Sequence, residues 1–218
     1  GQQSASNPKF GLWSGWSDQG PLWEGIRHCN VLIENIYNVV DMTEDEMNTW
    51  AAEAKFLKAY YHFLLFTYYG PIPIVDENLP ISASDTEVRV KRRTVDESVG
   101  YIVETIDEAI VHLPARVLSS NDLGRIDQVI AKAIKSRVLT YAASPLFNGN
   151  TEMYSGFVNE EGEHFFNQSY DQNKWDLARD ASLDAIIAAL ENGVSLYEFT
   201  STPPNYEDEY EDEEFIQT

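Results

Sequence analysis

The sequence predicts an all-α protein made of consecutive antiparallel helix pairs, interrupted by long loops. Three observations carry this prediction. Apolar residues recur three or four positions apart in five separate segments. Helix start and stop signals bracket those segments. No segment alternates convincingly between apolar and polar residues; Val88 to Val90 offers only a short stretch that could pair as a strand.

In the first segment Leu22, Ile26, Cys29, Ile33, Ile36 and Val40 fall on one helical stripe, with Pro21 suited to the first turn. Thr43-Glu44-Asp45-Glu46 then has capping-box form. The helix behind it carries one stripe through Met47, Trp50, Ala54, Leu57, Tyr61, Leu64 and Tyr68, and a second through Phe56, Tyr60 and Phe63. A helix apolar on more than one face belongs in the centre of a fold. Gly70 and Pro71 stop it, the first by tolerating a left-handed backbone and the second by forbidding continuation.

Thr94-Val95-Asp96-Glu97 is a second capping box, opening a third helix with the stripe Val99, Ile102, Ile106, Ala109 and Leu113. Asp127 is the expected cap of a fourth, with Ile130, Ile134, Val138 and Tyr141 inside and an end near Ser144-Pro145. Asn173 is the expected cap of a fifth, burying Trp175, Ala178, Ala185 and Ala189 and stopping at Asn192-Gly193. The third and fourth helices start about one tetratricopeptide period apart, roughly 34 residues, although the strict consensus is absent. The fifth has no visible partner. The chain then runs into acids around Asp208 to Glu214, which reads either as a short acidic tail or as a chain cut inside its domain.

Composition narrows the function classes. The chain has 218 residues, enough for one domain or a large part of one. Acids outnumber bases 36 to 15, for a net charge of -21. Phosphate binding needs a basic footprint, so nucleic acid is excluded as a partner. The charge favours a neutral or cationic ligand. Cys29 is the single cysteine, which rules out an intramolecular disulfide and a cysteine-based zinc site, and its place on an apolar stripe predicts core packing. The longest apolar run, near Tyr60 to Tyr69, is too short to span a membrane. No signal peptide is visible, and a start at Gly1 instead of Met reads as a processed or trimmed N-terminus.

Two long loops break the helical pattern. The first, Gly70 to Arg93, ends in the basic run Arg89, Lys91, Arg92 and Arg93. The second, Ser144 to Gln172, holds Phe147, Tyr154, Phe157, Phe165, Phe166 and Tyr170, an aromatic content that argues against disorder.

An ordered set of motifs resembles the SusD/RagB family. Trp23, Ile26, Arg27 and Asn30 resemble its W-x-x-I-R-x-x-N helix. Glu53 to Phe63, EAKFLKAYYHF, resembles its E-A-R-F-L-R-A-Y-Y-Y-F core, followed by Tyr69-Gly70-Pro71-Ile72-Pro73. Arg93-Thr94, Asp107-Glu108-Ala109, Leu113-Pro114, Gly124-Arg125, Ala142-Ala143-Ser144-Pro145, Trp175 with Ala178, and Glu214-Phe215-Ile216 follow in the family's order. Lys55 and Lys58 stand in for arginines, and Ile126 sits in the G-R-A/V-T slot.

The resemblance implies a non-catalytic glycan-binding lipoprotein on the outer face of a Gram-negative outer membrane. Such proteins act as a lid on a SusC-like TonB-dependent transporter and deliver oligosaccharide or polysaccharide, in some cases peptide. No cofactor and no metal site is expected. The resemblance also implies that residues 1–218 are the N-terminal helical domain of a longer chain. Within it, 1–20 would be a pre-helix loop, 21–69 a first helix pair, 94–143 a second and 173–192 the start of a third. The lipid anchor would lie outside this chain. The competing reading is a tetratricopeptide-like scaffold for peptide or protein partners.

Candidate binding residues follow from what a sugar presents: apolar C–H faces and a rim of hydroxyls, matched by aromatic planes beside Asp, Asn or Arg. Trp13, Trp16 and Asp18 sit in a Gly/Ser-rich loop off helical period, and Asn148, Asn150 and Tyr154 (with Tyr170) sit in the second long loop. For both sets the alternative is packing against the scaffold, the ordinary fate of large aromatics. A glycosidase would need a carboxylate pair about 5–10 Å apart. Glu53, the tempting acid, lies on the buried helix, where a structural ion pair or hydrogen bond with a partner such as Arg27 is expected. The acids from Asp208 to Glu214 lack a calcium-loop pattern, His28, His62, His112 and His164 lack metal-site spacing, and Arg89 to Arg93 reads as a solvated loop.

Overall fold

The computed structural model describes residues 11–13 and 21–197. Seven α-helices occupy them: α1 (Leu22–Asn35), α2 (Glu44–Tyr69), α3 (Asp85–Val88), α4 (Val95–Ile110), α5 (Gln128–Ala143), α6 (Thr151–Tyr154) and α7 (Gln172–Glu191). Among the described residues the only β pairing is a single antiparallel bridge, Val158 to His164. The long helices pack in chain order, α1 on α2, α2 on α4, α4 on α5 and α5 on α7, as a stack of antiparallel hairpins.

The ends of the helices are set by local chemistry. Thr43 accepts from the Glu46 N–H while the Glu46 carboxylate accepts from the Thr43 N–H at 2.8 Å, and Thr94 and Glu97 repeat the arrangement. Each box satisfies donors that the first helical turn leaves free. Asp127 caps α5 by accepting from Ile130 N–H at 2.9 Å. Gly70 closes α2 at φ 69°, a backbone that a side chain would strain.

The centre of the molecule is α2. Its deepest stripe is Ala52, Phe56, Ala59, Phe63 and Phe66, each at most 2% exposed, spaced four and three residues apart. It meets Ile26 of α1, Val99, Ile102 and Ile106 of α4, and Val138 and Ala142 of α5 in one core. Cys29 is buried there, and burial pushes its thiol up to about 11.

Several expectations need correction. The first helix stops at Asn35; a short 3-10 turn, Ile36–Asn38, keeps Ile36 buried but leaves Val40 in solvent. Trp50 and Tyr68, expected on the main α2 stripe, are exposed, because α1 and α4 grip the neighbouring face. Val88 to Val90 is not a strand. Ser84-Asp85-Thr86-Glu87 forms a third capping box that starts α3 there. Ile130 is exposed on the first turn of α5. Asp171, not Asn173, caps α7, and Trp175 lies exposed on its outer face while Ala178 is buried.

Candidate functional site

Trp13, ahead of α1, and the second long loop both reach the C-terminal end of α2. Trp13 packs edge-on against Tyr69, with ring centroids 5.2 Å apart, and against Trp23 of α1 at 5.0 Å. Its N–H donates to the Tyr69 hydroxyl at 3.2 Å. One residue on, Gly70 lies against the ring of Phe166 from the second loop. Phe166 in turn stacks on Tyr154 at 3.8 Å and on Phe147 at 5.7 Å. Trp13, Tyr69 and Tyr154 are half-buried, so each packs with part of its ring while keeping some surface open. Trp16 and Asp18 lie outside the described residues.

The polar candidates of the second loop divide their labour. Asn148 is buried, and its amide works both ways across the loop: Nδ2 donates to Asp171 O at 2.9 Å and Oδ1 accepts from Asp171 N–H at 2.8 Å. The loop is thus pinned where it leaves α5 and where it enters α7. Gly149 makes the crossing possible, since a β-carbon there would stand 2.5 Å from the Tyr170 nitrogen. Asn150 Oδ1 accepts from Met153 N–H at 3.1 Å and so caps the single turn of α6. Tyr170 is exposed, with its hydroxyl donating to Gln172 at 2.8 Å. At the tip, the Asn159 side chain accepts from the N–H groups of Glu161 and Glu163 and folds a tight turn.

Glu53 is not paired with Arg27. Arg125 forks onto it with bonds of 2.9 and 3.0 Å from 72 residues away, and its guanidinium lies over the Trp50 ring. A bidentate Arg–carboxylate pair holds both oxygens of Glu53 in a structural clamp between α2 and the loop before α5.

A polar network with no signature in the spacing of motifs joins the buried Lys58 and His62 of α2 to the exposed Asp76 and to Tyr101 of α4. Lys58, 6% exposed, donates to the Asp76 backbone oxygen at 3.0 Å and to its carboxylate at 2.9 Å. The Tyr101 hydroxyl donates to the same carboxylate at 2.8 Å. Burial alone would raise the Asp76 pKa, but these bonds and the Lys58 charge hold it below its ordinary value. His62 is fully buried between them, its Nδ1 within 2.8 Å of Lys58 O and its Nε2 accepting from Val75 N–H at 3.2 Å. The two bonds fix a neutral tautomer, and burial pushes the imidazole down to about 4. Its one trace in the sequence is a lysine and a histidine four apart on the deepest helix.

Residues 18–140 match the family model described as SusD-like, starch-binding associating with outer membrane. The chain belongs to this SusD-like family. A SusD-like protein of Formosa agariphila is 25% identical over 131 residues, covering 60% of this chain and 23% of that protein. The solved structure designated BT4246 is 35% identical, with a TM-score of 0.72 over 79% of this chain and 30% of its own. A laminarin-binding SusD-like protein is 30% identical, with a TM-score of 0.52 over 60% of this chain and 26% of its own. The chain therefore spans less than a third of the length of each of these relatives. Within the SusD-like chain, the motif helices turn out to be scaffold: Ile26 and Phe56 sit in the core, Lys58 ties α2 to the loop that follows it, and Asn30 is buried.

Proposed function

We propose that this chain is the N-terminal helical part of a cell-surface glycan-binding protein. It captures oligosaccharide or polysaccharide without chemistry and passes it to a SusC-like TonB-dependent transporter. The full protein would be held at the outer membrane by a lipid anchor. The observation that carries the reading is the meeting of two aromatic loops at one end of α2, in a chain of this family. Half-open rings at Trp13, Tyr69 and Tyr154 supply planes for sugar faces, and Asn150 supplies an amide beside them. Trp16 and Asp18 belong to the same proposed surface.

The laminarin-binding relative makes β-glucan the first ligand to try. Affinity electrophoresis of the chain in gels carrying laminarin, starch or xyloglucan tests the reading, with Trp13→Ala/Trp16→Ala and Asn150→Ala/Tyr154→Ala variants alongside. Retardation by one polysaccharide, lost in both variants with circular dichroism unchanged, is the expected result. Retardation that both variants keep would move the site elsewhere. No retardation by any polysaccharide would remove support for glycan capture by this part of the protein.

A second reading has an observation of its own. Val31 of α1 and Ile74, Leu79, Ile81, Val88 and Val90 of the first long loop line an open groove of about 770 Å³. An apolar surface of this kind favours a protein or peptide partner on the scaffold. Cross-linking to a co-expressed transporter, compared between the chain and Ile81→Asp/Val88→Asp, would test it; equal yields would count against the groove.

A further inference from the structure

The first long loop leaves α2 at Gly70 and returns at the start of α4, lining the open groove beside α1 on its way. Its base is closed by Arg93 N–H, which donates to Ile72 O at 2.9 Å, and Ile72 is fully buried. The next attachment, at Val75 and Asp76, is to α2. Val75 N–H donates to Nε2 of His62, and Asp76 holds the Lys58 ammonium through its backbone oxygen and its carboxylate. Further out the tie to α1 is exposed: Asn78 N–H donates to the Glu34 carboxylate at 3.1 Å.

One member of the α2 attachment can reverse its hydrogen-bonding sense. Lys58 O can only accept and Val75 N–H can only donate, so the His62 proton sits on Nδ1 and Nε2 offers its lone pair. A protonated imidazole has two donors and no acceptor. It would set one N–H against another where the Val75 bond now lies. The surroundings decide which side gives way. His62 is 0% exposed, and Trp23 of α1 and Tyr101 of α4 meet its ring edge-on at 6.0 and 5.1 Å. Its Nδ1 bond lies within α2. Val75 is half-buried on a loop, so the loop yields before the ring does. Lys58, one turn back on α2, repels an imidazolium. Asp76 attracts it, but that carboxylate is already shared between Lys58 and the Tyr101 hydroxyl. Tyr101 and the Cys29 thiol of α1 are raised by burial and carry no charge in acid.

We infer that His62 is an acid-released latch on the first long loop: protonating its ring frees Val75 from α2, loosens the segment around it and reshapes the groove that Ile74, Val75 and Asn78 line. The Ile72 bond keeps the base closed and the Lys58–Asp76 pair keeps a tether, so the change is local. Latched, the imidazole is held down to about 4; released into solvent, it titrates near 6.5. Above 6.5 neither form takes the proton and pH has no effect. Between 6.5 and about 4 only the released form takes it, so release becomes up to roughly tenfold more frequent for each pH unit lost. The inference adds a regulation and rests on neither reading of the function, because bonds within the chain carry it.

Amide exchange of the whole chain, followed by NMR with each rate divided by its intrinsic rate at the same pH, tests it. Between about pH 7 and about pH 4.5 the Val75 amide is expected to lose at least roughly tenfold in protection. The Leu65 and Val138 amides, in the buried parts of α2 and α5, are expected to keep theirs. Ring-nitrogen shifts of His62 in the same samples are expected to show Nε2 gaining its proton over the range in which Val75 loses protection. In His62→Gln, which can keep both bonds without titrating, Val75 protection is expected to stay constant. Unchanged Val75 protection in acid, an equal loss at Leu65 and Val138, or a loss that persists in His62→Gln would overturn the inference. Should that variant not fold, the parent chain decides: Nε2 protonation and Val75 release at separate pH values would overturn it too.

Discussion

The helices α2 and α7 are the longest described, at 26 and 20 residues, and they meet solvent in opposite ways. In α2 ten residues are buried; in α7 only Ala178 and Ala188 are. Hydrophobic content does not explain the gap, since α7 carries Leu177, Leu183, Ile186, Ile187 and Leu190. Neighbours do. α1 and α4 flank α2, and α5 touches it as well, whereas α7 packs along α5 and reaches α4 only at its first turn, where Lys174 pairs with Asp96. It approaches α5 with its small residues: Ala178 and Ala188 are buried, and Ser182 meets Ser136 across the contact at 2.7 Å. Small side chains let two helices come close, and the branched ones are left outside. Which of two apolar stripes is covered is thus decided by the shape of the neighbour.

The contrast can be broken in four ways. The largest effect belongs to Phe63→Ala in α2, at the centre of the core; it is expected to cost about 3–5 kcal/mol in urea unfolding, the usual loss for a buried aromatic. A smaller loss would mean that the core collapses around the gap.

Next is pH. His62, packed among Lys58, Asp76, Tyr101 and the Trp23 ring, is pushed down to about 4 from 6.5 in the unfolded chain. Above pH 6.5 neither state takes the proton and there is no cost. As pH falls from 6.5 towards 4, the unfolded state gains a proton that the native state refuses, so stability drops, by about 3 kcal/mol in all. In His62→Gln, which can keep both hydrogen bonds, urea midpoints are expected to be flatter across that window. An unchanged slope would assign the loss to the carboxylates.

Thr43→Ala removes the capping box of α2 and is expected to cost about 1 kcal/mol. The smallest effect belongs to Ile186→Ser on the outer stripe of α7, expected within about 0.5 kcal/mol of the parent. A loss near that of Phe63→Ala would show that the outer stripe of α7 is covered in solution.

What the sequence revealed follows the range of the interactions. The caps at Thr43, Thr94 and Asp127 were legible because a cap joins residues three apart. The stop at Gly70-Pro71 was legible for the same reason. The box at Ser84 and Glu87 was equally local, but it opens a helix of only four residues, too short to carry an apolar stripe. Partners far along the chain were not legible: Glu53 found Arg125 instead of the nearer Arg27 because the fold brings the loop before α5 across α2. The candidate site shows the same division. Composition marked both aromatic loops, but only packing around Tyr69 and Gly70 brought Trp13 and Phe166 to one end of a helix. Asn148 and Asn150 were found as amides of the right kind, while their engagement with Asp171 and Met153 depended on the loop's closure.

That closure sets how freely the loop can be rewritten. Asn148 and Asp171 clasp the stretch at its two ends, and the bare backbone of Gly149 lets the strands cross at the clasp. Within the stretch, Phe165 and Phe166 are buried in the core, and Phe165 O accepts from Val95 N–H at the start of α4, so its returning limb is fixed as well. Beyond the clasp, residues could be inserted near the Asn159 turn with little penalty, because the cost of closing a loop grows only as the logarithm of its length. The tip of the stretch behaves as an exchangeable cassette, in which new recognition surfaces could be installed while Asn148, Gly149, Phe165, Phe166 and Asp171 remain as the fixed hem.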